Sequence, residues 1–388
     1  MTDKQEERPL EDAHIPGDEA HDEKIAETPL RAIGFPCAQC GNQMSYSPKS
    51  GKLFCAYCTS EEEIDSPLGE APEYLYFPDD DRYDAPVWEN EADRLITCAS
   101  CGADTLISPA AVTATCPFCG SHYVTEPRPS DRLILPETMM PFRISEEEAV
   151  RSFDAWVKKR YFAPRKFRRG THRPEPQGVY IPTWTFDAAL DTDFSGFGGR
   201  RRTVTYTVRV NGKTQTRTRT VTDWYPVSGS RHLHFDDIPV VASKNIDRAL
   251  LTKVSPYSMK VLHVYNPAYL AGFLSERYSI SLSGGFEEAR RIMERRMCEH
   301  IEASLGYDTY RGMQYRHRFA DVRFKHILLP LWIATYRYHG KAYPFMVNGE
   351  TGRVAGRAPL SPLKIALLVL GGVALLALLV FLLAMFGE

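Results

Sequence analysis

The pattern of hydrophobic and polar positions divides the chain into three kinds of region. Residues 1–30 lack apolar periodicity and are rich in Asp, Glu, Pro and His, a composition typical of disordered segments. Residues 140–358 contain helical apolar stripes and strand-like alternation. Residues 365–386 form a run of 22 residues without a charge. The pattern predicts a disordered acidic arm, a folded α+β body and one C-terminal apolar helix.

The body is predicted to contain two helices and two strands with a central tryptophan. A helix over about 145–161 begins with a capping box formed by Ser145 and Glu148. Its apolar stripe consists of Ala149, Phe153, Trp156 and Val157. A second helix is predicted over 286–305. The strands are predicted over 178–186 and 327–336, and each carries a Pro-x-Trp sequence.

Each of these strands is followed by a predicted hairpin. Residues 203–210 and 213–223 alternate around Asn211-Gly212, a sequence typical of a tight hairpin turn. Two shorter strands flank Asn348-Gly349 in the same way. We therefore predict two α+β units, over 140–250 and 251–358, each with a helix packed on an antiparallel sheet.

Eight of the nine cysteines form two sets with the same spacing, C-x2-C-x14-C-x2-C. Four thiolates on two tight turns can fill a tetrahedral shell without an open position, which is the arrangement of a structural zinc site. Disulfides and a dithiol redox site are the alternatives, and matched sets of four cysteines disfavour both. We predict two zinc ribbons, over 31–59 and 94–127, that bind two structural Zn²⁺ ions. The predicted ligands are Cys37, Cys40, Cys55 and Cys58 in the first ribbon and Cys98, Cys101, Cys116 and Cys119 in the second.

Charge is distributed unevenly, although the formal net charge is only −2. Residues 1–93 contain 23 acidic and 7 basic residues, a balance of −16, and the remainder contains 26 acidic and 40 basic residues, a balance of +14. This asymmetry predicts a basic body with an anionic partner. The acidic linker over 60–93 also carries aromatic clusters that could dock on the body, but a solvated linker is the favoured interpretation.

The apolar run predicts a transmembrane helix over 363–386. A buried core helix is the alternative, and the length of the run disfavours it. Arg353, Arg357 and Lys364 precede the run, so the positive-inside rule places the body in the cytoplasm. Because only Gly387 and Glu388 follow, we expect a single-pass, tail-anchored protein. A reducing cytoplasm also suits zinc-bound thiolates and the unpaired Cys298.

The densest cationic segment, 158–170, interleaves basic residues with aromatic rings. Such a pattern suits a nucleic-acid backbone with stacked bases, and it equally suits anionic lipid headgroups. A solvated loop is the third interpretation. The predicted membrane anchor favours the interpretation that this segment contacts anionic lipid headgroups. The cationic residues, called the basic patch below, are Lys158, Lys159, Arg160, Arg165, Lys166, Arg168 and Arg169.

The sequence contains no G-x-S-x-G, H-E-x-x-H or Rossmann glycine signature. Gly212-Lys213-Thr214 resembles the end of a phosphate-binding loop, but Thr207 stands where that loop requires a glycine. His232, His234 and Asp236 would lie on one face of a strand as a metal site, although a half-buried strand explains the alternation equally well. We therefore expect a protein that is not an enzyme.

The strand around Leu329-Pro330-Leu331-Trp332 and the following segment YPFMVNGETGRV resemble a bacterial family of tail-anchored membrane proteins that contain a TFIIB-type zinc ribbon. Members often carry a label that resembles the primosomal helicase. The resemblance covers residues 141 to the C-terminus and the first ribbon. It implies a place in the bacterial inner membrane, beside SPFH (flotillin-like) proteins, with a role in membrane recruitment and envelope stress. It assigns no catalytic residue, and the acidic arm and second ribbon depart from the simplest members.

These patterns predict a non-enzymatic adaptor that docks a protein partner, with an SPFH-type protein as the candidate, at the cytoplasmic face of the membrane. The alternative is a membrane-tethered nucleic-acid-binding protein that uses the zinc ribbons and the basic patch. The acidic arm and the nearly neutral second ribbon weigh against that alternative.

Overall fold

The computed structural model describes residues 35–67, 72–79, 81–85, 87–88, 94–97, 102, 104–107, 114–115, 122–123, 128–129, 133–134, 136–169, 175–210, 213–339 and 341–386. All of them belong to one compact unit, Ala32–Glu388. The predictions for residues 1–30, for the second set of cysteines and for the turn at Asn211-Gly212 lie outside these residues.

Short strands dominate the chain before residue 140. The first cysteine segment contains an antiparallel sheet of β1 (Ser45–Ser47), β2 (Lys52–Phe54) and β3 (Glu61–Glu62). The strands that follow are β4 (Tyr74–Phe77), β5 (Arg82–Tyr83), β6 (Val87–Trp88), β7 (Arg94–Thr97), β8 (Asp104–Ile107), β9 (Ala114–Thr115), β10 (His122–Tyr123), β11 (Arg128–Pro129), β12 (Leu133–Ile134) and β13 (Thr138–Met139).

Longer elements build the body. In chain order they are α1 (Glu146–Lys158), α2 (Arg165–Arg169), β14 (Gln177–Val210), β15 (Lys213–Val241), α3 (Arg248–Val254), β16 (His263–Val264), a 3-10 turn (Pro267–Leu270), β17 (Leu274–Glu276), α4 (Leu282–Leu305), β18 (Thr309–Tyr338), β19 (Lys341–Asn348), β20 (Val354–Gly356) and α5 (Pro362–Phe386). The α+β class expected from the sequence is confirmed, with much more sheet than helix.

One sheet connects most of the molecule. Among the described residues it has 13 strands, and its centre is the antiparallel set β15-β14-β18. β14 pairs with β15 up to Val210 and Lys213, which confirms the predicted hairpin, and with β18 from Gln177 to Gly199. The predicted Trp-containing strands are therefore parts of much longer strands: 178–186 lies at the start of β14, and 327–336 lies near the end of β18. Both predicted α+β units contribute to this sheet, while their boundaries stay a prediction.

The helix α4 covers one face of the central strands. Its buried stripe includes Phe286, Met293, Met297 and Ile301, at the spacing of an amphipathic helix. The stripe packs against a sheet face that carries Trp184. The helix begins near the position that the sequence predicted, and this core holds the central strands together.

The helix α1 covers a second core at the other end of the same strands. Ser145 caps it, and Glu148 completes the capping box, as predicted. The ring of Phe153 stacks on Phe345 of β19 at 3.8 Å between centroids. Phe142, just before the helix, is fully buried beside Trp332. These contacts fix the segment after α1, which carries the basic patch.

The favoured interpretation of the acidic linker was wrong for its aromatic part. Tyr74 and Leu75 of β4 pair with Phe324 and Arg323 of β18. Tyr76 is 4% exposed and packs against the rings of Phe286 and Phe324. Buried aromatic area outweighs the acidic composition of the segment, so this part belongs to the body.

Candidate metal centre and membrane-proximal surface

Two tight turns position the cysteines of the first set. In the first turn, the backbone N–H of Gly41 donates to the carbonyl of Cys37 at 2.8 Å. In the second, the N–H of Thr59 donates to the carbonyl of Cys55 at 2.9 Å. Gly41 and Thr59 have φ angles of 74° and 63°, the left-handed conformation that closes each turn. Each turn therefore presents its two sulfurs to the same point.

The four sulfurs have the spacing that a tetrahedral metal site requires. Cys37 Sγ lies 3.4 Å from Cys58 Sγ, and Cys40 Sγ lies 3.5 Å from Cys55 Sγ. All four sulfurs lie within 4.8 Å of one another. A regular tetrahedron with zinc–sulfur bonds of about 2.3 Å has sulfur–sulfur distances of about 3.8 Å. The cluster can therefore hold a metal ion with every tetrahedral position filled by a thiolate.

A polar group beside two of the four sulfurs, those of Cys37 and Cys58, favours the thiolate form, which is the form that binds metal, whereas the pKa of Cys40 is raised. The hydroxyl of Ser60 lies 3.0 Å from Cys37 Sγ and 3.1 Å from Cys58 Sγ. Its hydrogen bond is the main cause that lowers the pKa of Cys37 to about 6, and it also lowers the pKa of Cys58. Ser60 was missed in the sequence, where its position two residues after Cys58 was the available signal.

The cysteine segment is attached to the body through Tyr46. The backbone N–H of Tyr46 donates to the carbonyl of Ala271, and its hydroxyl donates to the carbonyl of Phe142, both at 2.9 Å. Its ring lies edge-on to Tyr269 at 5.1 Å between centroids. Burial raises the pKa of the Tyr46 phenol, which keeps the hydroxyl protonated as a donor. The cysteine cluster and the body therefore share a packed, hydrogen-bonded contact.

The cysteines of the second set lie outside the described residues, but the backbone around them is described in part. β7 and β8 pair antiparallel on either side of the first C-x-x-C motif of this set. Gly102 has a φ of 71°, matching Gly41 at the equivalent position of the first set. β8 also pairs with β17, which joins this segment to the central sheet.

The C-terminal helix α5 is apolar and exposed. Its Pro362–Leu379 portion has a mean hydropathy of 2.4, and none of it is buried. By length and composition the helix can cross a membrane. An unpartnered apolar surface of this size needs a cover that the described residues do not provide.

The basic patch lies beside the start of this helix. Lys364 Nζ donates to the carbonyl of Tyr161 at 2.8 Å and to that of Ala163 at 2.7 Å, and the N–H of Ser361 donates to the carbonyl of Phe162 at 2.8 Å. The ring of Tyr161 is 72% exposed. The described side chains of the patch are exposed, namely Lys158, Lys159, Arg160, Arg165, Lys166 and Arg168, while that of Arg169 lies outside the description. Aromatic rings and cations thus surround the N-terminal end of α5.

The structure does not gather His232, His234 and Asp236 into a metal site. A bulge places two residues, Asp236 and Asp237, opposite Asp187, so the regular alternation stops there. His232 Nδ1 lies 2.9 Å from the carboxylate of Asp191 on the surface. In the described part of the chain, the candidate group at this position consists of Asp187, Asp236 and Asp237.

A lysine already neutralises part of that carboxylate group. Lys325 Nζ lies 2.8 Å from Asp237 Oδ1, 3.1 Å from Glu73 Oε1 and 3.9 Å from Asp187 Oδ2. Burial raises the pKa of Asp187 to about 6. The buried ammonium fills the position that a cation would take, so this cluster is an internal ion-pair network.

The fold and the site define an α+β protein with a closed four-cysteine cluster and a C-terminal helix able to cross a membrane. The chain belongs to the family of YdjG from Bacillus subtilis, which is described as an uncharacterized protein. The two sequences are 30% identical over 338 residues, which cover 86% of this chain and 92% of YdjG. No family model and no solved structure matches the chain.

Proposed function

We propose that the protein is a membrane-anchored adaptor without enzymatic activity. In this proposal α5 crosses the cytoplasmic membrane once, the body lies in the cytoplasm, and the body docks a protein partner. The observation that carries the proposal is the contact between Lys364 of α5 and the segment Tyr161–Ala163, because it places the basic patch at the edge of an exposed apolar helix. The resemblance to proteins that accompany SPFH proteins suggests that class of partner.

The cysteine cluster supports a structural role for zinc. Cys37, Cys40, Cys55 and Cys58 would hold one Zn²⁺ with no position left for a substrate. Cys98, Cys101, Cys116 and Cys119 have the same spacing and would hold a second ion. When bound, the ion supplies cross-links that a segment of this size needs in order to fold. The hydrogen bond of Tyr46 to Phe142 would connect the folded cysteine segment to the body.

The basic patch supports contact with anionic lipid headgroups. Each lysine or arginine near an anionic membrane surface contributes about 1 kcal/mol of attraction. Exposed rings such as Tyr161 and Phe162 favour the interface between headgroups and acyl chains. Arg353 and Arg357 precede α5, and Lys364 lies in its first turn, so the positive-inside rule favours the cytoplasm for this side. The nucleic-acid interpretation of the patch loses its support, since the patch lies next to the proposed span.

The polar clusters of the body support the assignment as a non-enzyme. Lys325 neutralises the buried carboxylates, and His232 pairs with Asp191 on the surface. Although burial lowers the pKa of Lys325, its hydrogen bond to Asp237 and the charges of the surrounding carboxylates together raise the pKa by more, so the amine stays protonated and is not a nucleophile. In this proposal the protein acts by binding partners at its surface and not through a reactive centre.

The experiment compares the full chain with a form that ends at Pro359, both purified from the native cells in mild detergent. We expect the full chain in the membrane fraction, with two zinc ions per chain and a stoichiometric membrane-protein partner of the SPFH type. The shortened form should be soluble and keep its zinc. A full chain that stays soluble, or that is recovered with no stoichiometric protein partner, would contradict the proposal.

The lipid contact is tested with the full chain in nanodiscs. Backbone hydrogen exchange over residues 158–168 should be slower with phosphatidylglycerol present than with phosphatidylcholine alone. The triple variant Lys158→Gln, Lys159→Gln and Arg160→Gln should abolish this difference. The control variant, with Arg291, Arg295 and Arg296 of α4 changed to Gln, should preserve it. Equal exchange in both lipids for the unmodified chain would refute the contact.

A further inference from the structure

The hairpin of β14 and β15 extends beyond the rest of the central sheet. β18 accompanies β14 only as far as Gly199, whereas β14 and β15 remain paired up to Val210 and Lys213. Residues 200–210 and 213–223 therefore form a projecting pair of strands, called the two-stranded arm below. At about 3.3 Å per residue the arm is about 36 Å long. Within the described residues no further strand covers either of its edges.

The arm is strongly cationic. It contains seven basic residues and one acidic residue, Asp223, for a net charge of +6. Its six arginines are exposed, namely Arg200, Arg201, Arg202, Arg209, Arg217 and Arg219. Among described residues, only Arg202 of these six forms an ion pair, with Asp223 at 2.5 Å. Arg200 and Arg219 lie over the rings of Tyr307 and Tyr206, at 5.4 and 5.6 Å from the ring centroids, but neither forms an ion pair with a described carboxylate. The guanidinium groups of the arm are therefore available to an anionic partner.

One face of the arm combines threonines with Arg201 and Arg209, and the other face carries the remaining four arginines. The pairing register puts eight threonines on one face, namely Thr203, Thr205, Thr207, Thr214, Thr216, Thr218, Thr220 and Thr222. The opposite face carries four arginines between valines and Tyr206, namely Arg200, Arg202, Arg217 and Arg219. Hydroxyl and guanidinium groups are the side chains that contact phosphate and sugar in nucleic-acid complexes. Both faces are accessible, so packing in a core does not explain this composition.

Aromatic rings and an arginine lie at the base of the arm. Arg311 Cζ lies 4.2 Å from the ring centroid of Trp224 and 5.3 Å from that of Phe197. Tyr225 is 46% exposed and Phe197 is 42% exposed. Exposed rings beside arginine are suited to contact with bases and sugars.

The arm lies at the opposite end of the sheet from the membrane helix. At the other end of β14, Gln177 pairs with Ile333 of β18. The neighbouring Ala334 pairs with Phe345, which in turn pairs with Gly356 shortly before α5. The lipid that would surround α5 is therefore not the anion that meets the arm.

We propose that the two-stranded arm binds double-stranded nucleic acid, with its strands along a groove and its arginines on the flanking phosphates. A major groove about 12 Å wide admits a two-stranded ribbon. Arginine rather than lysine dominates the arm, and its planar fork matches phosphate oxygens. A second copy of the chain is disfavoured at these edges, because arginines along both strands would repel an identical arm. The proposal goes beyond the adaptor function and uses neither the basic patch nor the cysteine clusters.

The test uses the full chain in nanodiscs of neutral phosphatidylcholine. Fluorescence anisotropy reports binding to a DNA duplex of about 20 base pairs, single-stranded DNA and polyglutamate, between about 50 and 200 mM salt. The arm variant changes Arg209, Arg217 and Arg219 to Gln. The matched control changes Lys158, Lys159 and Arg160 of the basic patch to Gln. A second arm variant changes the same three arginines to Lys and keeps the charge.

We expect the unmodified chain and the patch control to bind duplex equally. The Gln arm variant should bind at least about tenfold more weakly at low salt, and its slope of log K against log salt should fall by about 2 to 3. The Lys arm variant should keep the slope. Zinc content and membrane fraction of all variants should match those of the unmodified chain, so a failure here is distinct from a failure of the adaptor proposal.

Several results would overturn the proposal. One is the lack of duplex binding at the lowest salt. Another is a loss of binding in the patch control and not in the Gln arm variant. Tighter binding to single strands than to duplex would exclude insertion in a groove, and tighter binding to polyglutamate than to duplex would identify an acidic protein as the partner.

Discussion

Individual side chains around the first cysteine set differ in burial, and this decides which substitutions are informative. Cys55 is completely buried, and its sulfur lies 3.5 Å from that of Cys40. Cys298 lies on α4, outside the cluster, where burial raises the pKa of its thiol. These two cysteines provide a matched pair for testing the metal site.

Cys55→Ser should lower the zinc content of the full chain by one ion. Because metal binding and folding of a small four-cysteine segment are one equilibrium, residues 35–62 should also lose protection from hydrogen exchange. Cys298→Ser should change neither quantity. Metal analysis of both proteins checks this, and a Cys55→Ser protein that retains both ions would show that the cluster is not a zinc site.

Glu137 is a buried carboxyl group with only one oxygen in a hydrogen bond. Its Oε2 accepts from the backbone N–H of His326 at 2.7 Å, whereas Oε1 is buried with no hydrogen-bond partner among the described residues. Burial raises the pKa of Glu137 from 4.5 to about 7. Between these two pH values Glu137 is protonated in the folded state and ionised in the unfolded state. The free energy of unfolding therefore falls as the pH rises from about 4.5 to about 7.

Glu137→Gln should remove this pH dependence. The amide keeps an acceptor for His326 and cannot ionise. The free energy of unfolding of the variant should therefore exceed that of the unmodified chain by up to about 3 kcal/mol at pH 8 and by close to nothing at pH 4. Denaturation of the full chain at both pH values measures the gain. Glu299→Gln, on the exposed side of α4, is the control and should show no such difference. An equal gain at both pH values would rule out titration as the cause.

Residue spacing along the chain revealed the cysteine cluster but not the network around Lys325. The cysteines are close in sequence, so two short turns suffice to bring them together. The partners of Lys325 are Glu73, just before β4, Asp187 of β14 and Asp237 of β15, and they meet only when the sheet is assembled. The period of two residues in a strand also predicted the wrong face near Asp236 and Asp237, because a bulge there changes the face of the sheet on which each side chain lies.

At the scale of whole elements, glycines decide how closely helix and sheet approach. A Cβ atom on Gly285 of α4 would lie 2.6 Å from Trp184 Cδ1, and Trp184 is fully buried. Gly284 is exposed, and its nearest neighbours would be Ile280 Cγ2 at 3.2 Å and Ser281 Oγ at 3.3 Å. Gly285 therefore allows the helix to approach Trp184 closely, whereas Gly284 faces away from the core.

Gly285→Ala should destabilise the protein by up to about 2 kcal/mol. Overpacking against Trp184 costs about 1 to 3 kcal/mol, and the higher helix propensity of alanine offsets about 1 kcal/mol of it. Gly284→Ala has the same increase in helix propensity without the clash in the core. Its free energy of unfolding should therefore stay within about 1 kcal/mol of that of the unmodified chain. Thermal unfolding of both variants measures the difference, and equal midpoints would contradict the packing argument.

Periodicity located the helices α1 and α4 and the main hairpin, but it underestimated the strands. Residues 187–202 contain aspartates and glycines that are typical of turns, so alternation alone did not predict that β14 continues there. In the structure these glycines allow close approach within the sheet. A Cβ on Gly198 would lie 2.4 Å from Tyr307 Cδ2, and one on Gly196 would lie 2.5 Å from Met313 Sδ.

Across the whole molecule, one sheet separates two cationic surfaces. The basic patch adjoins α5 at one end of β14, and the two-stranded arm projects at the other. The sequence predicted the patch from the density of its charges. It did not distinguish the arm from an ordinary hairpin, because the threonines and arginines between 200 and 223 fit any exposed strand. Only the pairing register shows that this hairpin extends beyond its neighbours.

The net charge of the N-terminal residues leads to a prediction for the whole chain. Residues 1–30 contain 10 acidic and 3 basic residues, a balance of −7, and they belong to the same chain as an arm of net charge +6. Acidic residues compete with phosphates for arginine, so deletion of residues 1–30 should tighten binding to duplex DNA by roughly threefold to tenfold at about 50 mM salt. The gain should shrink as salt screens the competing charges.

A variant of full length, with the ten acidic residues of this segment changed to Asn and Gln, separates charge from chain length. It should bind duplex as tightly as the deletion does, since only the charge is expected to matter. Anisotropy titrations of the three proteins in neutral nanodiscs measure the effect. If the deletion binds more tightly and the neutralised variant does not, steric cover rather than charge limits access to the arm. If neither differs from the unmodified chain at low salt, the acidic segment and the arm do not compete.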